Sequence, residues 1–340
     1  MPDVAPPVVC TPTIAGLEQD DVVAVAPFAD TWFFVVDDFV ALDETRTVAV
    51  GRHGDFLVDG LFLIAFDGSG GVQWSTLLSA GEVVPWLVRL ERVDDQVWVI
   101  GLDGSNVAVW RYALDGVESV ATTIADAWVE QWTPTPSGGL LLGGRTGWGP
   151  DSTSVFVELT TDGEELWRGG EDIAAFDHAW GDGPIRRLDG ARLLWEHDPR
   201  AEPFAGFPID VGVHWARLHD SGEVAAVATL TGEGGLVTAA LRIDASGTPL
   251  WSDIRPRVTI SAVHPRGDGS IELRGERREC WPLPWVALLD ATGDTTFEAQ
   301  LVDGGGGRFG AFGLDGSDRP ISIVATGEAI EWRTLREVQR

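Results

Sequence analysis

An apolar strand that ends in Asp, passes a small or Gly-containing turn and returns in a second strand closing on an aromatic residue recurs at nearly constant spacing. The clear copies are LFLIAFDGSGGVQW (61–74), SVFVELTTDGEELW (154–167), AALRIDASGTPLW (239–251) and WVALLDATGDTTF (285–297), with a weaker one, VAVWRYALDGVESV, at 107–120. Measured on the Asp, the steps are 48 residues from Asp67 to Asp115, 47 from there to Asp162, and 46 from Asp244 to Asp290. One four-stranded propeller blade occupies about that length of chain. Such a unit cannot bury its apolar surface alone, so it must stack against its neighbours.

A second element precedes each of these, a polar turn followed by a short apolar strand that often ends near Gly. Its copies are RTVAVG (46–51), QVWVIG (96–101), GLLLGG (139–144), ARLLWE (191–196), EVAAVATL (223–230), SIELRG (270–275) and PISIVATG (320–327). Seven copies give an expectation of seven four-stranded blades. The 82 residues from Asp162 to Asp244 hold two of them and are irregular, with FPID (207–210) as a candidate marker, so six or eight blades also fit. No stretch sustains a 3.6-residue amphipathic period with capping signals, whereas β-branched and aromatic runs between Gly, Asp and Pro turns occur throughout. The expected fold is all-β, a β-propeller. DVVAVAPF (21–28) precedes the first inner strand, TWFFVVDD (31–38), and is expected to complete the last blade and close the ring. That divides the chain into a Pro-rich N-terminal linker, 1–20, and a single propeller domain, 21–340.

Charge narrows the partners. With 53 Asp+Glu against 24 Lys+Arg, the chain carries −29 and has a pI near 4.3. Such a surface repels nucleic-acid phosphates, and no Arg stripe with interleaved aromatics offsets it. No apolar run reaches membrane-spanning length, so direct membrane insertion is not expected. Every basic residue is Arg; a GC-rich bacterial genome or a saline habitat would each produce that bias. The start, MPDVAPPVVCTP, reads as an extended linker following something removed, which points to a secreted, periplasmic or lipid-anchored outer-surface protein.

The run of strand, Asp, two residues, Ser/Thr-Gly, three residues and Trp resembles the tryptophan-docking repeat of pyrroloquinoline quinone-type β-propellers. IDASGTPLW (243–251) matches it, and LDATGDTTF (289–297) matches with Phe297 in place of Trp. The resemblance implies that Trp74, Trp167 and Trp251 pack across blades as core residues rather than ligands. Quinone enzymes of that family use an adjacent cysteine pair and carboxylate and Asn ligands for calcium. This chain has only Cys10 and Cys280, far apart, and only Asn106, so the resemblance implies a cofactor-free member.

The residues show no HExxH or close His/Asp ligand set, no calcium-loop spacing, no GxSxG elbow and no phosphate loop, so neither metal ligands nor catalytic residues are assigned. Ligand contacts are expected on the face that carries the longest connections, with Trp148 and Trp180 as stacking surfaces, His178 in a polar loop, and Arg145, Arg200 and Arg277 as fork-shaped donors. A carboxylate or sugar-ring partner suits that mixture. Two function classes follow. One is a non-catalytic, monomeric binding or scaffold module for a protein or glycan; the other is a propeller enzyme (hydrolase, lyase or quinone-type oxidoreductase) with its site at the mouth of the central channel. A Cys10–Cys280 disulfide is a further expectation, pinning the Pro-rich tail in an oxidising compartment, with two free thiols as the alternative.

Overall fold

Period-two alternation, dense turn residues and the lack of any capped amphipathic run leave strands as the favoured elements. The computed structural model describes residues 15–25, 33–54, 58–78, 87–93, 95–103, 106–135, 137–146, 153–169, 185–189, 192–197, 210–218, 223–232, 235–266, 268–278, 282–302, 310–326 and 329–337, and contains no helix among them. A first strand, β1 (Ala15–Val25), precedes the sheet of β2 (Phe33–Asp43), β3 (Arg46–Gly54), β4 (Val58–Asp67) and β5 (Val72–Leu78). The next holds β6 (Leu87–Val93), β7 (Gln96–Asp103), β8 (Asn106–Ala113) and β9 (Glu118–Ile124), and a third holds β10 (Trp128–Pro134), β11 (Leu140–Thr146), β12 (Thr153–Leu159) and β13 (Glu165–Gly169). A hairpin, β14 (Ile185–Asp189) and β15 (Arg192–His197), follows. Then come β16 (Asp210–Leu218), β17 (Val224–Gly232), β18 (Gly235–Ile243) and β19 (Pro249–Pro256), and after them β20 (Val258–Pro265), β21 (Ile271–Arg278), β22 (Pro282–Leu289) and β23 (Thr295–Leu301). The chain ends in β24 (Gly310–Leu314), β25 (Pro320–Thr326) and β26 (Ala329–Glu337).

Within each blade neighbouring strands pair antiparallel in sequence order, β1 taking the outer place of the last blade, and the first strands of successive blades touch. β2 meets β6, β6 meets β10, β10 meets β16, β16 meets β20, and β24 packs between the β21–β22 pair and β2. The protein is an all-β propeller. Among the described residues the ring holds six four-stranded blades, and the seventh expected unit is the β14–β15 hairpin, which does not separate β10 from β16. Residues 170–184 and 198–209, where further strands of that unit would fall, lie outside the described residues. Asp210 of FPID opens the inner strand β16 and is therefore not a blade-turn marker.

The N-terminal strand closes the ring as expected, but from an earlier residue. β1 pairs antiparallel with β26 from Leu17↔Glu337 to Val25↔Ile330, and parallel with β23 at Ala15↔Ala299, Gly16↔Gln300 and Leu17↔Leu301. Residues 15–20 therefore belong to the sheet and not to a linker. They read as polar because an outermost strand needs little apolar surface; Leu17, fully buried, supplies it.

Most of the core lies in the seams between blades. One cluster joins Val48, Val50 and Leu63 of the first blade to Leu90, Val99 and Tyr112 of the second; another joins Phe34, Phe39 and Phe66 of the first to Ile321, Ile323 and Trp332 of the last. Trp74 and Trp251, both half-buried, dock on the next blade and donate their indole N–H to Leu114 O (3.1 Å) and Ala291 O (3.2 Å). Their rings lie against Gly116 and Gly293, where a Cβ would approach to 2.7 Å. Trp167, also half-buried, instead lies against Gly169 of its own blade.

The recurring Asp is a turn device. In the first blade Gly70 (φ 84°) donates to Asp67 O, and Asp67 N donates to Gly71 O, a type I turn with a bulge glycine. Asp67 Oδ1 also accepts the Ser69 hydroxyl (2.7 Å) and the Ser69 and Gly71 amides (2.8 and 2.9 Å). The same bonds recur at Asp244 and Asp290. The Ser or Thr hydroxyl and the amides hold these three carboxyls below the usual carboxylate range.

The glycine that ends the second-strand motif answers a bulge. Four inner strands carry an extra residue near mid-strand, Asp37, Glu130, His214 and Ser261, and in three of them the residue just before it faces Gly51, Gly144 or Gly275. A Cβ on those glycines would meet the carbonyls of Val35, Trp128 and Thr259 at 2.0, 1.9 and 2.0 Å. Gly275→Ala is expected to cost about 1–3 kcal/mol by overpacking. Gly68→Ala, whose Cβ would have 3.5 Å of room, should stay within about 0.5 kcal/mol of the parent. Thermal unfolding of the two variants side by side checks this, and equal midpoints would refute the bulge account.

Candidate functional site

A propeller's inner strands line its axis, so ionisable side chains there are the first candidates for function. The VVDD run of β2 supplies two that behave differently. Asp38 is buried and satisfied from two blades: it accepts Phe39 N (2.9 Å) on Oδ1 and Leu90 N of the second blade (3.1 Å) on Oδ2. Arg274 of β21 reaches it across the intervening blade. Its Nη1 lies 3.9 Å from Asp38 Oδ1 and donates to Phe39 O (2.8 Å), and its guanidinium sits 4.1 Å from the Phe39 ring centre. The path exists because residue 313 is Gly; a Cβ there would come within 2.4 Å of Arg274 Nε.

Glu272, 2% exposed, anchors the other end. It accepts Arg274 Nε (2.6 Å) and Leu314 N of the last blade (2.9 Å) on Oε1, and Arg266 Nη2 (3.1 Å) on Oε2, while Arg266 also pairs with Asp318. Burial alone would raise the Glu272 carboxyl. The Arg274 charge and hydrogen bond, followed by Arg266 and His264, outweigh it and push it down to about 2. The fifth, sixth, first and second blades are thus joined by one buried ionic path.

Asp37 is the bulge residue of β2, and its environment differs. Arg52 of β3 grips it with two bonds, Nε to Oδ2 (2.9 Å) and Nη2 to Oδ1 (2.7 Å). Burial nevertheless raises its carboxyl above the ordinary range, against the Arg52 bonds and charge and the Arg89 charge, with Asp38 adding to the rise. Arg89 belongs to β6 of the second blade; its Nη1 donates to Val88 O (2.9 Å), and it forms no salt bridge among the described residues. Asp37 is thus paired with Arg52 of its own blade, while the Arg89 charge of the second blade and the Asp38 charge act on it in opposite directions.

Of the residues expected from sequence, Trp148, Trp180, His178 and Arg200 lie outside the described residues, as do Cys10 and Cys280. Arg145 is placed by its backbone alone, on β11 opposite Trp128 and Ser154. Arg277, half-buried, donates to Glu298 Oε1 (3.0 Å), which also accepts Trp285 Nε1 (3.0 Å), while Glu298 Oε2 pairs with Arg255 of the preceding blade (3.1 Å). Its fork therefore already meets an acidic side chain of its own blade. Asp37, Arg52 and Arg89 were not singled out from sequence. Their one legible signal was a double Asp inside an otherwise apolar strand. Among the described residues no three His, Cys, Asp or Glu side chains come together as a metal-ligand set.

No family model matches the chain, and no curated protein matches it. Among solved structures it is similar to the WD40 domain of SCAP from fission yeast, with 9% identity over 94% of this chain and 98% of that one and a TM-score of 0.40. It is also similar to an oligogalacturonate lyase in complex with manganese, with 14% identity over 95% of this chain and 99% of that one and a TM-score of 0.51. At 14% identity the likeness to the lyase structure speaks for the fold alone, a β-propeller, and a fold does not assign an activity.

Proposed function

We propose that the protein is a non-catalytic propeller that holds a protein or glycan partner, as a secreted or envelope-associated module related to the cofactor-free pyrroloquinoline quinone-type propellers. The observation that carries this reading is strand polarity. In antiparallel blades the first-to-second and third-to-fourth turns leave from one end, and here they are short turns tied by Asp67, Asp244, Asp290 and Asp315. At the other end the described strands β11, β13, β21 and β23 stop, and in the sequence 6, 15, 3 and 8 residues separate them from the strands that follow. Long connections on a rigid scaffold are where binding residues concentrate. The docking of Trp74 and Trp251 on neighbouring blades supports the family relation.

A pull-down from the source envelope, run beside a hydrolase and lyase activity panel, tests the proposal. A captured partner whose affinity falls at least tenfold in a Trp148→Ala, Trp180→Ala double variant, with an unchanged thermal midpoint, is the expected result. Turnover in the panel with no captured partner would overturn it. That outcome would favour a second reading, an enzyme at the channel mouth, for which the raised carboxyl of Asp37 speaks.

A further inference from the structure

We propose that the outer edge of β5 is the surface on which a second copy of this chain pairs, strand to strand, across a two-fold axis. This goes beyond the binding reading and does not rest on it. It starts from how the blades treat their edges. An outermost strand presents a row of unpaired backbone N–H and C=O groups, which recruits another strand unless charge, proline or a covering strand blunts it. Five of the six outer strands are blunted. β9 carries Glu118, β13 carries Glu165 and Arg168, and β19 carries Asp253 and Arg255 between two prolines. β23 carries Glu298 and is covered by β1, which itself carries Glu18, Asp20 and Asp21. β5 reads VQWSTLL, with no charge, no proline and no glycine, in a chain of which 23% is charged. Among the described residues it pairs with β4 alone.

A second copy fits because the edge complements itself. The register shift at Gln73 confines regular pairing to Trp74–Leu78. A two-fold axis through Thr76 then sets Trp74 opposite Leu78, and Ser75 opposite Leu77, of the other copy. Leu77 is 50% exposed in the single chain. Across the axis the two Leu77 side chains become diagonal neighbours on one face of the sheet, within reach of each other. Charge points the same way. Two chains of net −29 repel one another, and an edge without a carboxylate is where they approach at least cost. The fold already contains one sheet that runs through two blades, eight strands joined where β1 meets β23 and β26. Pairing of β5 would build another, shared by two copies, and the two-fold closes the assembly at a dimer.

Sedimentation equilibrium of the full chain over a concentration series tests the proposal. The parent is expected to pass from monomer to twice that mass. Its apparent dissociation constant should be at least threefold lower at about 1 M salt than at about 0.1 M, because screening removes the long-range repulsion and the edge holds no ion pair to weaken. Leu77→Glu should weaken association at least tenfold. Adding Ser75→Arg to it should restore most of the loss, since each new carboxylate then faces a guanidinium across the axis. Leu166→Glu places the same charge at an exposed position on the outer strand of the third blade and should associate as the parent does. Thermal midpoints separate a lost contact from a lost fold, and Gln73→Glu, at another exposed position of β5, should weaken association in the same direction. A parent that stays monomeric at every concentration, association that weakens as salt rises, or folded Leu77→Glu and Gln73→Glu chains that associate as the parent does would each overturn the proposal. A parent that is monomeric alone but loses a captured partner through Leu77→Glu would also overturn it, and would give the edge to a different protein.

Discussion

Glu272→Gln is expected to destabilise the propeller by about 3–5 kcal/mol, the cost of breaking a buried ion pair from one side. At roughly 2 °C per kcal/mol for a chain of this size, the thermal midpoint should fall by about 6–10 °C. The magnitude follows from what the carboxylate leaves behind. Arg274, 7% exposed, would keep Phe39 O, the Phe39 ring and the distant edge of Asp38 but no close carboxylate, and Leu314 N would lose its acceptor charge. Replacing both partners, Glu272→Gln with Arg274→Met, should recover part of the loss, since it leaves no buried guanidinium facing a lost carboxylate. Additive single-variant losses in the double variant would show that the two residues do not act together.

The same carboxylate gives a pH signature. Its ordinary value is 4.5 and its folded value about 2, so its contribution is fully present above about pH 4.5 and is lost as pH falls through 2. A shift of that size corresponds to about 3 kcal/mol. Urea unfolding of the parent and Glu272→Gln from pH 6 to pH 2 should therefore give a stability difference that is constant above pH 5 and closes toward zero near pH 2. A difference that stays constant to pH 2 would place the loss in packing and not in the charge.

The repeat was legible because its turn chemistry is local. An Asp whose side chain caps its own turn must stand beside a Ser or Thr and a glycine at fixed offsets, and Asp67, Asp244 and Asp290 do so in both sequence and structure. The second-strand glycines were visible as a pattern, but their reason was not, because the carbonyl that excludes a Cβ at Gly275 belongs to Thr259 on another strand. The seam-spanning ionic path was illegible for the same reason: Asp38 and Arg274 are 236 residues apart, and only the ring brings them together. Residues 185–197 read as part of a full blade because ARLLWE has the apolar content of a second strand. Content alone did not reveal that β10 would pack directly on β16. For the site, sequence reasoning favoured aromatic and Arg side chains on long connections. It passed over Asp37, which looks like half of a polar pair until the bulge separates its surroundings from those of Asp38.

Leu17 carries the second large effect. The strand that closes the ring is the first of the described strands and its partner β26 the last, so closure joins the two ends of the propeller. Long-range pairing of this kind costs loop entropy before any contact rewards it, and it must be fixed by side-chain burial. Leu17, with no exposed surface, lies in one cluster with Val286 and Leu301 of the fifth blade and Phe312, Leu314 and Leu335 of the sixth. Its backbone is paired on both sides, with Leu301 and Glu337, and its carbonyl accepts Val302 N (3.1 Å). Leu17→Ala should cost about 2–5 kcal/mol, while Val22→Ala on the same strand, 39% exposed, should stay within about 0.5 kcal/mol. Leu17→Asp should go further and free β1 from both neighbours, because a carboxylate cannot enter that cluster uncompensated. β26 would then become an open edge, and a free edge recruits another chain. Size-exclusion chromatography with light scattering should therefore show Leu17→Asp as oligomers or aggregate under conditions where Val22→Asp runs as the parent does. A Leu17→Asp chain with the parent's mass and midpoint would mean that the ionic path through Arg274 closes the ring without β1.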